Sequence, residues 1–443
     1  MQYSFKRTNF PKDFIFGAAT AAYQIEGSQF GDCGSSIWDS WAATQGNVVN
    51  YDDGSVACDH YHNSEADLDL IQSAGFDSYR FSASWSRVMP DGKTINPKGL
   101  EFYDRLIDSI LERGLKPNLT LYHWDLPSAL SDIGGWMNRD IPLLFTDYTK
   151  AISDLIGDRV DYIATINEPF CAAWLGYFVG CKAPGIRDVR AGIRAIHHIQ
   201  LAHGLAIKTL REEGQDNLGL VLNLSQSEAL TNQEADLKAQ KTFDAIGYRW
   251  YMDSVFKGQY PQDMLDDVIQ YMPEGFEQDM PIIAQPLDWL GINYYTRELV
   301  AAAPQEKWPS IAVSRGDLPK TDMGWEIYPE GLEALIKRTH EEYTGELPLY
   351  ITENGMAFAD KVYNEVCHDP ERVAYFDKHL QRVIKCIEDG VPLKGYFGWS
   401  LLDNYEWEDG YAKRFGMVHV DYQTQKRTPK SSYLAFQQLL TTD

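Results

Sequence analysis

Apolar positions along the chain recur as short continuous runs, each followed by a stretch in which they return every three or four residues. The runs cover residues 14–22, 78–85, 116–123, 162–167, 218–224, 289–295, 349–352 and 393–400. Uninterrupted runs of this length suit strands covered on both faces, as in a parallel sheet; a half-exposed strand would alternate. The intervening stretches carry helix boundaries. Ser64 followed by Asp67 predicts a helix start of the capping-box kind, closed by Gly75. Asn96 and Pro97 predict another, burying Leu106, Ile107, Ile110 and Leu111 and ending at Gly114. Asp369-Pro370 opens a third, with Val373, Phe376, Leu380 and Val383 on one side and Gly390 after it. Eight strands alternating with helices predict an α/β fold: a single (β/α)8 barrel over residues 1–443, with long loops from strand to helix. A doubly wound open sheet is the alternative, but no G-x-G-x-x-G follows the first run, which argues against its dinucleotide-binding form.

In such barrels the chemistry lies at the C-terminal ends of the strands. Gln24 and Glu26 follow the first run and Arg80 lies within the second. The third ends at His123-Trp124-Asp125, the fourth at Asn167-Glu168-Pro169, the sixth at Asn293-Tyr294-Tyr295 and the seventh at Glu353-Asn354-Gly355. The eighth leads to Trp399, Asp403, Glu406 and Trp407. Carboxylates, amides, a histidine and tryptophans gathered on one rim suit carbohydrate chemistry. Aromatics make up 13% of the chain, with 12 Trp and 26 Tyr, enough to supply flat faces for pyranose rings.

Charge and cysteine content narrow the field. A formal net charge of −24 argues against nucleic acid or an anionic membrane surface as partner. The six cysteines are scattered without a CxxC pair, which suits free thiols in a reducing cytoplasm. No apolar leader and no apolar stretch of about 18 residues is present, so a cytoplasmic location is expected. His197, His198 and His203 share a helical stretch without i,i+4 spacing, so they offer no two-histidine metal face and read as packing or capping residues.

Glu168 and Glu353, 185 residues apart in sequence, stand after opposite strands of the expected barrel. Glycoside cleavage needs two carboxyl groups flanking an oxocarbenium-like transition state, one protonated and one ionised. Arg80 is placed to pair its charge with Glu353. Glu168, followed by Pro169 and Phe170 and near Trp124, is expected to hold its proton, helped by the charge on Glu353. The amides Asn167 and Asn354 beside the two carboxyls strengthen the pairing of roles.

With these residues in place, the chain resembles glycoside hydrolase family 1. Thr165-Ile166-Asn167-Glu168-Pro169 resembles that family's acid/base motif, and Ile351-Thr352-Glu353-Asn354-Gly355 its nucleophile motif. Residues 14–27, Tyr79-Arg80-Phe81-Ser82, residues 122–127 and residues 399–407 match further motifs in the expected order. The resemblance implies a retaining (β/α)8 enzyme without metal or organic cofactor, Glu168 being general acid/base and Glu353 nucleophile. It implies that Gln24, His123, Asn167, Trp399, Glu406 and Trp407 hold the non-reducing sugar: Asn167 at the 2-hydroxyl, Gln24 and Glu406 at the outer hydroxyls, Trp407 on the O3 side and Trp399 as floor. Asn293, Tyr295 against the nucleophile, and Trp124, for which core packing is the other reading, complete that set. Trp325 resembles the aglycone platform, Phe415 closes the outer edge of the sugar pocket, and Cys171 stands where family members vary. The expected activity is release of terminal β-D-glucosyl residues from cello-oligosaccharides or from aryl and alkyl glucosides, as in cellulose degradation, with galactoside and fucoside open as glycones. The alternatives are a 6-phospho-β-glucosidase, which the intact Glu406 opposes by charge, and a non-catalytic sugar binder, which the two retained carboxylates oppose.

Overall fold

The computed structural model describes residues 2–442. Every one of the eight runs is a strand: β1 Ile15–Ala19, β2 Ser78–Ser82, β3 Lys116–Tyr122, β4 Tyr162–Asn167, β5 Leu218–Asn223, β6 Trp289–Asn293, β7 Leu349–Asn354 and β8 Leu393–Trp399. Each pairs in parallel with its sequence neighbours, and β1 pairs with β8 from Ile15↔Gly395 to Ala19↔Trp399, so the sheet closes into a barrel. Helices between the strands cover the outside, which is why β1, β2 and β7 are buried at every position.

Helix boundaries follow the sequence in two of three cases. Asn96 accepts from the Lys98 amide and starts Pro97–Glu112, with Gly114 beyond its end at φ 72°. Leu106, Ile107 and Ile110 of that helix are buried, but Leu111 is 39% exposed because it falls a quarter-turn past the apolar stripe. Pro370–Glu388 buries Val373, Phe376, Leu380 and Val383 as expected. The Ser64 start is wrong: the helix runs His60–Ser73 from Asp59, and Ser64 lies inside it. Asp67 does not cap; it accepts from His60 Nδ1 at 2.8 Å and from Arg427 Nε at 2.8 Å.

Inside the barrel a separate apolar cluster (Ile15, Ala164, Val221, Trp289, Tyr350 and Phe397 among it) fills the space under the C-terminal rim and carries Trp399 and Phe415 with it. The ladder is irregular at the start of β7, between Leu349 and Tyr350, and again near the rim. Register shifts fall between Ala164 and Asn167 on β4 and between Ile351 and Glu353 on β7. Such irregularities re-aim the side chains that follow, and these two sit at the strand ends that bear Glu168 and Glu353. A small sheet of Gln226–Ala229, Arg297–Ala302 and Ile311–Ser314, not legible as part of the strand–helix alternation, is built from the loops after β5 and β6.

Candidate active site

A cavity of about 450 Å3 opens at the C-terminal rim. Its lining includes His123, Trp124, Glu168, Asn293, Tyr295, Trp325, Glu353, Trp399, Glu406, Trp407 and Phe415. Gln24, Arg80 and Asn167 are buried behind this lining and reach it through hydrogen bonds.

The two glutamates are joined by one buried network with different surroundings. Arg80 donates to Glu353 Oε1 at 2.7 Å, and the Tyr295 hydroxyl donates to Glu353 Oε2 at 2.6 Å, so both oxygens of Glu353 have donors. Arg80 also donates to Asn167 Oδ1 at 2.7 Å. Asn293 donates to that same oxygen at 3.0 Å and to Glu168 Oε1 at 2.7 Å. Glu168 is 5% exposed, with the Cys171 thiol as its other neighbouring donor. Burial, and then the charge of Glu353, push its carboxyl up to about 7.

His123 follows from the same network. Asn167 Oδ1 accepts from two donors, so its Nδ2 donates to His123 Nε2 at 3.1 Å. The imidazole, driven toward its neutral form by burial and by Arg80, therefore carries its proton on Nδ1, which has no protein partner. Gln24 is the complement: its amide donates to the Tyr405 carbonyl at 2.8 Å and to Asn404 Oδ1 at 3.1 Å, leaving Oε1 buried without a partner. One donor and one acceptor thus stand ready for hydroxyls beside Glu406. The aromatic wall is continuous: Trp124 packs on Trp407 with ring centroids 4.5 Å apart, and Tyr295, Trp325 and Phe415 form a second face with centroids 5.4–6.1 Å apart. Trp124, Glu168 and Trp407 all hold positive φ, at 82°, 50° and 48°.

Several residues expected on the rim lie elsewhere. Asn354 faces away from the cavity and bonds the Tyr294 carbonyl at 2.7 Å and the Tyr396 hydroxyl at 2.6 Å, because successive strand residues point to opposite faces. Glu26 pairs with Arg87 at 2.7 Å, and Asp403 with Lys430 at 2.7 Å; both brace loops behind the site. Burial pushes Glu406 up to about 8, so near neutral pH charge repulsion of a 6-phosphate is weaker than the sequence alone suggests. The groups nearest to a phosphate clamp are turned to backbone carbonyls: Lys413 donates to the Asp322 carbonyl at 2.6 Å, and Tyr411 to the Asp53 carbonyl at 2.6 Å. His197, His198 and His203 are buried in Val189–Glu212, bonded to Asp279 and Tyr260, to the Trp136 carbonyl and to Thr165. Among the described residues no group of three or more His, Cys, Asp or Glu side chains gathers to hold a metal, and no helix is long and apolar enough to cross a membrane. The outer cavity wall, including Lys182, Phe243, Val313, Arg315 and Glu408, went unmarked in the sequence because it comes from segments that carry no motif, Phe243 from the helix Glu234–Asp244 and Val313 from the strand Ile311–Ser314 among them.

The family model described as glycosyl hydrolase family 1 matches residues 6–443. Beta-glucosidase A of Thermotoga maritima is 45% identical over 428 residues, covering 96% of each chain. The 1,4-beta-D-glucan glucohydrolase of Thermotoga neapolitana is 44% identical, again over 96% of each chain. The solved structure of a Thermotoga maritima beta-glucosidase in complex with glucoimidazole superposes with a TM-score of 0.94 at 43% identity, covering 98% of both chains.

Proposed function

The chain belongs to glycosyl hydrolase family 1 and is a glycoside hydrolase of the β-glucosidase type, and on that premise we propose a double displacement run by Glu353 and Glu168 within one catalytic domain. The carrying observation is the contrast between the two carboxyls. Glu353 receives donors on both oxygens, while Glu168 is buried with a single amide donor and its carboxyl pushed up to about 7.

Glu353 attacks the anomeric carbon while Glu168 gives its proton to the departing glycosidic oxygen. The product is a glucosyl ester on Glu353. Glu168, now ionised, takes a proton from an incoming water, which opens the ester on the same face that lost the aglycone. The β configuration is kept, as retention requires with carboxyl groups about 5–5.5 Å apart. Tyr295 and Arg80 keep Glu353 oriented for attack. The free Nδ1–H of His123 and the free Oε1 of Gln24 are matched to sugar hydroxyls, with Glu406 and Trp407 beside them and Trp399 as floor. Asn167 meets the 2-hydroxyl through the amide that now bonds His123. Asn293 and Trp124 complete the sugar site, Phe415 closes its edge, and Trp325 faces the aglycone.

The substrates are β-glucosides without a 6-phosphate, including cello-oligosaccharides. The setting is a reducing cytoplasm, in keeping with six cysteines that are all free thiols. Hydrolysis of p-nitrophenyl β-glucoside followed by proton NMR tests the reading. β-Glucose must appear first, and the 6-phosphorylated analogue must turn over more slowly. An α-anomer as first product, or faster turnover of the phosphate, overturns it.

A further inference from the structure

Three walls of the cavity come from separate segments, and one side chain joins them. Lys182 lies three residues beyond the helix Phe170–Val179, which starts two residues after Glu168. The segment that carries it folds back on that helix: the Cys181 amide donates to the Leu175 carbonyl at 3.1 Å and the Ile186 amide to the Gly176 carbonyl at 2.9 Å. From this base the Lys182 ammonium reaches two further segments. It donates to both oxygens of Glu408, at 2.9 and 2.7 Å, and lies 5.5 Å from the Trp124 ring centroid.

Both of those segments hold left-handed backbone. Trp124 has φ 82°, and Trp407, the neighbour of Glu408, has φ 48°. Such conformations persist where surrounding contacts impose them. Behind the site, Trp407 is braced by Trp38 and Trp124, with ring centroids 4.4 and 4.5 Å away. Toward the opening, its loop closes on itself, the Glu406 amide donating to the Gly410 carbonyl at 2.7 Å, and Lys182 ties that loop to the helix that follows Glu168. Lys182 is 13% exposed and Glu408 35%, so water screens the pair less than it would at an open surface. Burial opposes the charge on Lys182, but Glu408 beside it holds the ammonium above the usual lysine value. The same charge bears on Glu406. Burial raises that carboxyl and Lys182 lowers it, against Glu408, Asp409 and Glu353, which raise it.

We propose that Lys182 is a positioning residue for the sugar site: paired with Glu408 and set over Trp124, it holds the loop of Glu406 and Trp407 against the acid/base wall and acts on glucosyl binding through these neighbours, not through the aglycone. The proposal rests on the β-glucosidase reading and names a residue that serves its sugar site.

The test measures kcat and KM of Lys182→Met, Lys182→Arg and Glu408→Gln on methyl β-glucoside, p-nitrophenyl β-glucoside and cellobiose, which share the glycone and differ in the aglycone. Methionine keeps an unbranched apolar stem and removes the charge. Lys182→Met is expected to lower kcat/KM about fivefold on all three substrates alike, through KM, with kcat changed less than about twofold, because a brace lost from ground and transition states together appears in KM. Glu408→Gln is expected to do the same, and the double variant to be no worse than either single one. Lys182→Arg keeps a cation that pairs with a carboxylate and packs on an aromatic face, so KM is expected within about twofold of the parent. An unchanged KM in Lys182→Met, a loss confined to one aglycone, or an arginine variant as impaired as the methionine variant overturns the proposal and leaves the β-glucosidase reading standing. Should Lys182→Met fail to fold, Glu408→Gln decides by the same criteria, its position being the more exposed of the pair. Failure of the unaltered protein to hydrolyse any of the three glucosides overturns the β-glucosidase reading itself.

Discussion

Replacing Glu353 with Ala removes the carboxylate that Arg80 and Tyr295 jointly hold, and with it the proposed attacking group. Hydrolysis is expected to collapse on every substrate, and added azide to yield the α-glucosyl azide from the vacated face. Glu168→Ala is expected to spare activated aryl glucosides in the first step, with azide restoring turnover as the β-azide. Product stereochemistry by NMR checks both; reversed azide anomers would mean reversed roles. The Glu168 carboxyl, raised to about 7, also sets a pH limit. The first step needs the proton, so kcat/KM is expected to fall as pH rises through about 7, and Glu168→Gln is expected to abolish that limb on activated substrates. Stability carries the same sign. A carboxyl raised above its unfolded value of about 4.3 favours the fold at low pH and loses that contribution as pH climbs toward 7. The Gln variant should therefore gain stability relative to the parent across that interval in urea titrations at several pH values. Both glutamates were legible in the sequence because motif and strand end coincide. Asn354, Glu26 and Asp403 were misplaced on the rim because the sequence does not show which strand face is turned inward, nor that Arg87 and Lys430 lie within 2.7 Å of the last two. The positive φ of Trp124, Glu168 and Trp407 has no sequence signal either. Backbone of this kind costs a non-glycine residue and persists only where surrounding contacts impose it.

At the scale of strands and helices, the rim depends on how closely β7 and β8 approach. A Cβ on Gly355 would lie 1.8 Å from the Trp399 carbonyl oxygen, a backbone atom that cannot swing aside. Gly355→Ala must therefore spread the ends of β7 and β8, which bear Glu353 and Trp399. The expected cost is about 1–3 kcal/mol, seen as a lower melting temperature, with a loss of kcat beyond what a destabilised but intact site would show. A melting temperature and kcat within error of the parent would contradict the placement of these strand ends. The strands themselves were legible to within three residues, the runs overshooting the ends of β1 and β2 most, because a short, unbroken apolar run between amphipathic helices suits a strand covered on both faces. The helix start at Asp59 was not. Ser64 and Asp67 have capping-box spacing, but Asp67 is consumed by His60 and Arg427, the latter 360 residues away in sequence. Local patterns cannot register a partner at that distance. The same limit hid the small sheet above the cavity, whose strands are joined only through loops after β5 and β6.

Across the whole molecule, a buried set of charges ties the loop after β8 to the C-terminal segment. Asp360, Asp369 and Asp403 balance Arg372, Arg414 and Lys430, with Lys430 donating to Asp403 at 2.7 Å and to Asp360 at 2.5 Å. Lys430→Met would leave two buried carboxylates short of a cation, which costs about 3–5 kcal/mol. The urea midpoint is expected to drop accordingly, and activity to fall with it, since Glu406, Trp407 and Phe415 ride on the anchored loop; an unchanged midpoint would show that this set does not bear on stability. The closure of the barrel has a consequence in time as well as in space. β1 has no second neighbour until β8 exists, and the cavity takes Trp399 from β8 and Glu406, Trp407 and Phe415 from the loop beyond it. A ribosome that has released everything through β7 has delivered both glutamates to the cell, yet no hydrolase. The cavity is completed late in synthesis and all at once, so a chain abandoned part-way is expected to be inert toward glucosides rather than weakly active.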